Sequence, residues 1–493
     1  MTNVPTGTAV LGPSGEHLRY VVNATTKMMA QWNSSKLWDM SQMTPTISST
    51  ADASTAARYD WNITVPWLPS GATIVSVFLE DVLLGRNGSL PTMTTQSPYT
   101  MWAMSLKPGS RGSMLWMKTY DPPAGNVTRS IPLKGVDIVN RVFIAYDKDI
   151  MQFTGYSLDN GDRLWTSTRL PEASDFDFYN YLGDVGYNTA YGKLYYSGFG
   201  GVLYCFDTKN GTLLWTYGNG GEGNSTYSGF ETAWGHYPTF ITTIADGKVY
   251  LETGEHSPNT PLYKGARARC VDAYTGEELW TLMSWSGHHR REGYAVADGY
   301  YVFLNHYDMQ IYSVGKGPSA TTITAPDVAV ELGKSIVIRG TVTDQSPGSK
   351  AKGTAAISDE SMGDWMAYVY MQKPYPMNAT GVTVSIDVLD SNGNYRNIGN
   401  TTSDASGIFS YTWTPDIEGS YTVVATFAGS ESYWPSYSET SFAVDPAAPT
   451  PTPTAIPSQS AADMYFVPAV AGIIIAIAIA TIINVLMLRR KRP

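Results

Sequence analysis

Charge is scarce in this chain of 493 residues: only 15% are Asp, Glu, Lys or Arg, against roughly 25% in an ordinary soluble domain. Cysteine is scarcer still, at two, which excludes a disulfide-stapled scaffold. Positive charge is the minority sign, 33 Lys and Arg against 43 Asp and Glu, for a net charge of −10. A surface of that sign repels phosphate backbones and disfavours a nucleic-acid partner. The opening residues MTNVPTGTAVLGPSGEHLRY lack the basic and apolar regions of an export signal. No two cysteines are adjacent and no C-x-x-C-H haem motif occurs. What is abundant is apolar and aromatic: 43% hydrophobic residues, 33 Tyr, 14 Trp and 46 Gly. That content excludes disorder for most of the chain, and the length predicts about three units.

The C-terminus is the plainest segment. Residues 466–488 form an apolar run interrupted only by Pro468, Thr481 and Asn484, and Arg489, Arg490, Lys491 and Arg492 follow at once. About 20 such residues span a bilayer, and basic residues stay on the cytoplasmic side. The expectation is a single-pass helix in the cell membrane, the ectodomain outside and the tail 489–493 in the cytoplasm. Residues 446–464, with Pro446, Pro449, Pro451, Pro453 and Pro457, read as an extended stalk of a composition suited to O-glycosylation. Nine Asn-x-Ser/Thr sequons, at Asn23, Asn33, Asn62, Asn87, Asn126, Asn210, Asn224, Asn378 and Asn400, exceed the roughly four expected by chance and suit a glycoprotein outside the cell. An exported ectodomain without a start signal predicts a misplaced gene start or a fragment.

The middle of the chain repeats. TGYSLDNGDRLWTS (154–167), GVLYCFDTKNGTLLWTY (201–217) and ARCVDAYTGEELWTL (268–282) each read as strand, tight turn, strand ending in Leu-Trp, with looser copies at 102–120 and 30–38. The turn glycines Gly161, Gly211 and Gly276 supply the positive φ such hairpins need. The terminal tryptophans are read as Trp38, Trp116, Trp165, Trp215 and Trp280, spaced by 78, 49, 50 and 65 residues. Strand pairs at 191–198, 246–254 and 298–306 precede the hairpins. Four short antiparallel strands in about 50 residues is the content of a propeller blade, and the tryptophans are expected to pack between blades.

The D-G-K-V-Y strand followed by Y-x-x-D-x-x-T-G-x-x-L-W resembles the pyrrolo-quinoline quinone (PQQ) type propeller repeat, over residues 15–316. The resemblance implies an all-β, multi-bladed propeller with four complete blades. Residues 16–38 are read as the last strands of a further blade and 290–314 as the first three of another, with more blades expected upstream. Many proteins with this repeat bind no cofactor. Those that bind PQQ with Ca²⁺ commonly carry adjacent cysteines in a ring disulfide and an acidic calcium site. Cys205 and Cys270 occupy one register in neighbouring blades, roughly 10–15 Å apart, beyond the ~7 Å reach of a disulfide.

Five of the six histidines fall between 236 and 306. His236 and His288 each lie ten residues before an Asp-Gly turn, Asp246 and Asp298, and His256 and His306 each follow a blade's second strand. The loop into the first strand and the loop out of the second open on one face. That face is expected to carry His236, His256, His288, His289, His306, Glu255, Arg290 and Asp308. The histidines could hold a transition metal, and the arginine an acidic group. Loop residues bonded to neighbouring backbone would look the same in sequence. No catalytic residue is assigned.

Residues 318–445 change to strict alternation, as in Val382/Val384/Ile386/Val388 and Tyr421/Val423/Ala425/Phe427, the pattern of half-buried sandwich strands. The stretch Asp416 to Tyr421 resembles the tyrosine corner of immunoglobulin-like domains, and the module resembles those of prokaryotic surface proteins. Near 358–372 a short helix is predicted, with Ser361 and Asp364 as a capping box and Met362, Trp365, Met366, Val369 and Tyr370 on one face. It would cover the sandwich or the propeller junction, or dock a partner. The stalk, sandwich and basic tail together resemble archaeal surface proteins. The leading function is a membrane-anchored, non-catalytic binding or scaffold protein of the cell surface, with a protein or glycan partner. The alternatives are a PQQ-dependent dehydrogenase at the outer face and an envelope-assembly scaffold.

Overall fold

A computed structural model describes residues 3–37, 52–170, 187–198, 202–218, 231–232, 235–236, 239–253, 267–284, 294–347, 354–448 and 460–490. The protein is a β-propeller of four-stranded, antiparallel blades. The first blade comprises Thr8–Leu11, His17–Asn23, Met28–Asn33 and Tyr59–Thr64; the second Thr73–Phe78, Val82–Asn87, Tyr99–Ser105 and Met114–Tyr120. The third comprises Val136–Asp137, Val142–Asp147, Gln152–Ser157 and Arg163–Thr166, with Arg129–Ser130 paired to the end of its second strand. The fourth holds Tyr187–Ala190, Lys193–Tyr196, Leu203–Asp207 and Leu213–Tyr217; the fifth Thr239–Ala245, Lys248–Thr253, Arg267–Asp272 and Glu278–Met283. The sixth sheet has three strands, Tyr294–Ala297, Tyr300–Asn305 and Gln310–Val314. The first strands lie beside one another between the first and second blades and from the third blade through to the sixth sheet, which makes them innermost.

Local chemistry explains the hairpins. Asp207 Oδ1 accepts from Lys209 N (2.7 Å), Asn210 Oδ1 accepts from Thr212 N (2.9 Å) and Gly211 sits at φ +74°. Asp272 Oδ1 accepts from Tyr274 N and Thr275 N, both at 2.8 Å, ahead of Gly276 at φ +80°. These side-chain turns satisfy backbone donors that the ladder leaves open.

Each fourth-strand tryptophan faces a fixed partner on the third strand: Trp116 faces Ala103, Trp165 faces Gly155, Trp215 faces Cys205 and Trp280 faces Cys270, each followed by a register shift. The indole then crosses to the next blade. Trp116 Nε1 donates to Leu158 O (2.8 Å), Trp165 Nε1 to Thr208 O (2.7 Å) and Trp215 Nε1 to Tyr274 O (3.0 Å). The rings lie on the turn glycines of those blades: a Cβ on Gly161 would sit 2.8 Å from Trp116, one on Gly276 2.7 Å from Trp215, and one on Gly211 would overlap Trp165.

One expectation about the first blade is corrected. Residues 16–38 are not the end of a blade; residues 8–64 make a complete four-stranded sheet. The fourth-strand tryptophan there is Trp61, which faces Gln31 just before a register shift, as its counterparts do. Trp38 lies outside the described residues. Ser34–Leu37 forms a 3-10 turn instead of a hairpin, so the chain between Asn33 and Tyr59 is an insertion.

Beyond the propeller, two sheets enclose one core. Ser319–Thr324, Ile336–Asp344 and Ile408–Trp413 form one; Val330–Glu331, Ser436–Asp445, Gly419–Phe427, Thr383–Leu389 and Tyr395–Thr402 form the other. Ile338, Val384, Ile386, Val388, Tyr421 and Val423 are fully buried between them. The Tyr421 hydroxyl donates to Asp416 Oδ1 and accepts from Ile417 N, both at 3.1 Å. The predicted helix is Asp359–Met371. Its N-cap is Ser358 rather than Ser361, because Ser361 already lies within the first turn, where its Oγ accepts from Thr380 N. Trp365, Ala367 and Met371 are buried, whereas Tyr370 is exposed. Met366 packs against the cluster that holds Tyr301 and Phe303, while Trp365 packs with Ala355 and Ile357, so the helix bridges the last blades and the sandwich. The C-terminal helix, Ala461–Arg489, runs 29 residues, is exposed throughout and is long and apolar enough to cross a membrane.

Trp165→Ala is expected to lower unfolding free energy by about 3–5 kcal/mol. Gly211→Val removes the same contact from the other side. The double variant should therefore lose less than the sum of the two, as thermal and chemical denaturation of the full chain in detergent would show.

Candidate functional site

The blade topology gives the expected face a concrete location. Because the strands alternate in direction, the starts of first and third strands and the ends of second and fourth strands share one side of the propeller. His306 directly follows the second strand of the sixth sheet and is half-buried. Asp308 is exposed and serves its own turn: it accepts from Gln310 N (3.1 Å) and from the Tyr312 hydroxyl (2.6 Å). His236 lies in a two-residue strand paired with Glu231–Thr232, of which the backbone alone is described. His256, His288, His289, Glu255 and Arg290 fall outside the described residues. Among the described residues, no three His, Cys, Asp or Glu converge as a metal site.

The same observation bears on PQQ with Ca²⁺. Cys205 and Cys270 are free thiols buried in separate strands, and burial pushes both up, Cys205 to about 12. Neither is adjacent to a second cysteine, and the described carboxylates do not gather into a calcium seat. The residues described do not fit that cofactor, and no chemistry is derived through it.

Beneath the face lies a buried polar group that sequence reasoning missed. Glu252, at the end of the fifth blade's second strand, is 1% exposed, and its Oε1 accepts from the Tyr301 hydroxyl at 2.9 Å. That hydroxyl also lies 3.3 Å from Thr242 Oγ1. Arg269 is buried two residues into the adjoining third strand. Burial is the largest influence on both: it pushes the Glu252 carboxyl up to about 8, against the opposing pull of the Tyr301 hydrogen bond and the Arg269 charge, and it lowers Arg269. The available signal was the strand Arg267–Asp272, RARCVD: Arg267, Arg269 and Val271 share one face at period two, an arrangement an apolar core would not tolerate without partners.

The sign of the pH effect follows. The folded protein holds a proton on Glu252 that the unfolded chain, ionising near 4.5, has lost. This contribution to stability is fully present below about pH 4.5 and is lost as pH rises through about 8. Glu252→Gln keeps an acceptor for Tyr301 and cannot ionise. Its stability relative to the parent should rise with pH between those limits, by up to about 1.4 kcal/mol per unit. Urea denaturation from pH 5 to 9 measures this, and parallel curves would refute it.

Comparison with known proteins gives the repeats a family. The family described as outer membrane protein assembly factor BamB matches residues 154–316. No curated protein matches the chain. Among solved structures, BamB from Moraxella catarrhalis aligns over 83% of this chain and 96% of its own, at 10% identity and a TM-score of 0.28. The computationally designed Ika8 protein aligns over 84% and 96%, at 9% identity and 0.31, and the designed Ika4 protein over 41% and 91%, at 11% and 0.23. Superpositions this loose carry no argument of their own. The repeats from Thr154 to Lys316 are therefore PQQ-like β-propeller repeats, on the strength of the blade register and the family match together.

Proposed function

We propose that the chain is a membrane-tethered, non-catalytic binding scaffold whose propeller engages another protein through the face that carries His306. The observation that carries this reading is the pairing, in one chain, of a propeller with a 29-residue apolar helix that buries none of its surface in the fold. A propeller offers a rigid disc whose loops can be varied independently of its blades. The helix holds that disc at a membrane. The description of the matching family, an assembly factor, favours a protein partner, with envelope assembly as the finer form of the role.

In this reading the propeller extends to residue 316. An immunoglobulin-like sandwich occupies 318–445, a stalk 446–464, the anchor 466–488 and a basic cytoplasmic tail 489–493. Arg489, Arg490, Lys491 and Arg492 support an ectodomain outside. Exposed Asn23, Asn62, Asn126, Asn210, Asn378 and Asn400 are, among the described residues, the sequons open to glycosylation.

Two measurements test the proposal. Deleting residues 461–489 should move the protein from the membrane to the soluble fraction. A photo-crosslinking residue placed at Tyr307 or Met309, both exposed beside His306, should give a discrete protein adduct. The same residue at Lys209 or Asp298, in turns on the opposite side, should not. Equal labelling from both sides would overturn the assignment of the face.

A further inference from the structure

The sixth sheet leaves an edge open that the other blades cover. In the second to fifth blades the third-strand residue facing the tryptophan is Ala103, Gly155, Cys205 or Cys270. On its other side each lies opposite the third residue of the second strand: Leu84, Ile144, Tyr195 or Tyr250. Ser313 lies opposite Val302, the third residue of Tyr300–Asn305, and so holds the same place in the sixth sheet. Ala103, Cys205 and Cys270 are fully buried. Ser313 is exposed, and Ile311, two residues before it, is 74% exposed. Among the described residues, Gln310–Val314 pairs with no strand on that side.

The direction of the backbone follows from the same equivalence. Two residues past the buried position, the N–H of Ser105, Ser157, Asp207 and Asp272 donates toward the fourth strand, to the carbonyls of Ser113, Asp162, Thr212 and Glu277 at 2.8–2.9 Å. Alternate residues of a strand turn their N–H and C=O to the same edge. Gly315, Ser313 and Ile311 therefore turn theirs to the open edge. Residues 309–315 include no charge and no proline, the usual protections of an exposed edge. A charge stands at each end. Asp308 is exposed; it serves its own turn and the Tyr312 hydroxyl and remains an anion. The Lys316 ammonium lies 5.0 Å over the ring of Trp434, a contact that leaves it a cation.

We propose that this edge pairs with the same edge of a second copy of the chain, antiparallel about a twofold axis at Tyr312. Ile311 then faces Ser313 of the second copy on both sides of the axis, and each such pair exchanges both of its N–H···O bonds. The same register sets Asp308 opposite Lys316 of the second copy at both ends. An axis at Ile311 would set Asp308 opposite Val314, and one at Ser313 would set it opposite Pro318, so charge complementarity selects the register. A strand pair this short buries less than the roughly 1,200 Å² of a stable interface, and the dimer is accordingly weak and concentration-dependent. It is independent of the histidines and of the protein-docking role.

Sedimentation equilibrium of the full chain in detergent, at low salt, tests the assignment. A monomer–dimer equilibrium with a dissociation constant of about 10–100 µM is expected. Ile311→Pro, which removes an N–H that its own sheet does not use, should weaken it about tenfold or more; Ile311→Lys, which sets two cations near the axis, should do the same. Both variants keep the anchor, so dimerisation through the apolar helix would survive them. Asp308→Lys and Lys316→Asp should each weaken pairing about threefold or more, and the two changes together should restore it. Chains carrying Ile311→Cys, mixed with chains carrying Ser313→Cys, should form a disulfide-linked dimer faster than either alone: facing residues are about 5.5 Å apart, within disulfide reach, and diagonal ones about 7–8 Å. Thermal denaturation of each variant separates lost pairing from lost fold. The proposal is overturned if the chain is still monomeric at about 200 µM, if folded Ile311→Pro and Ile311→Lys dimerise as the parent does, or if the mixed thiols link no faster than the separate ones.

Discussion

The contact on which the propeller depends is an indole laid across a glycine. Each fourth-strand tryptophan at 116, 165 and 215 leaves its own sheet, covers the turn glycine of the next blade and donates its N–H to a carbonyl of that same turn. Neither half works alone. The glycine is required twice over, for its positive φ and because a side chain there would occupy the volume of the ring. The tryptophan's large apolar area gains its burial only when the neighbouring turn is in place. Stability in such an array is shared between neighbours, much as in other repeat proteins.

That dependence explains the composition. Alternate blade surfaces press against one another, so third strands such as Leu203–Asp207 and Arg267–Asp272 are buried nearly end to end. Little surface remains for charge, and aromatics fill the seams: Phe143 stacks on Tyr156 with centroids 5.1 Å apart, and Tyr250 on Tyr301 at 4.5 Å. Where charge does enter the interior it is held by several partners at once, as Arg129 is by Asp147, Tyr99 and Tyr156. A buried ion pair of this kind contributes little net stability but is costly to break.

The blades were legible in the sequence because their constraint is local and recurrent: a turn glycine and a tryptophan lie only a few residues apart in 154–167, 201–217 and 268–282. The first blade misled because an insertion separates its third and fourth strands, and Trp38 stood where the local pattern wanted Trp61. The cap of the helix Asp359–Met371 was misread by three residues, since Ser358 and Ser361 both suit an N-cap and tertiary contacts with Thr380 separate them. The Glu252–Tyr301 pair was invisible for a different reason. Glu252 and Tyr301 are 49 positions apart; no periodicity brings such residues together, only the stacking of blades.

Among the described residues the sixth sheet has three strands, and no turn glycine lies on Trp280. The helix Asp359–Met371 packs there, with Gly363 close to the carbonyl of Leu279 and Met366 against the same cluster as Trp280. From its first turn, Asp359 accepts from Ser430 Oγ and from the backbone N–H of Glu431 and Ser432 at 3.0 Å, beside the point where Gly317 pairs with Tyr433. The array thus carries its own grammar of extension and termination. A blade can be followed by another only where a hairpin is ready to receive its tryptophan, and here a helix borrowed from the next domain closes the sentence. The sandwich is thus joined to the propeller twice, by the chain from Val314 to Ser319 and by the helix against the fifth blade's outer strand.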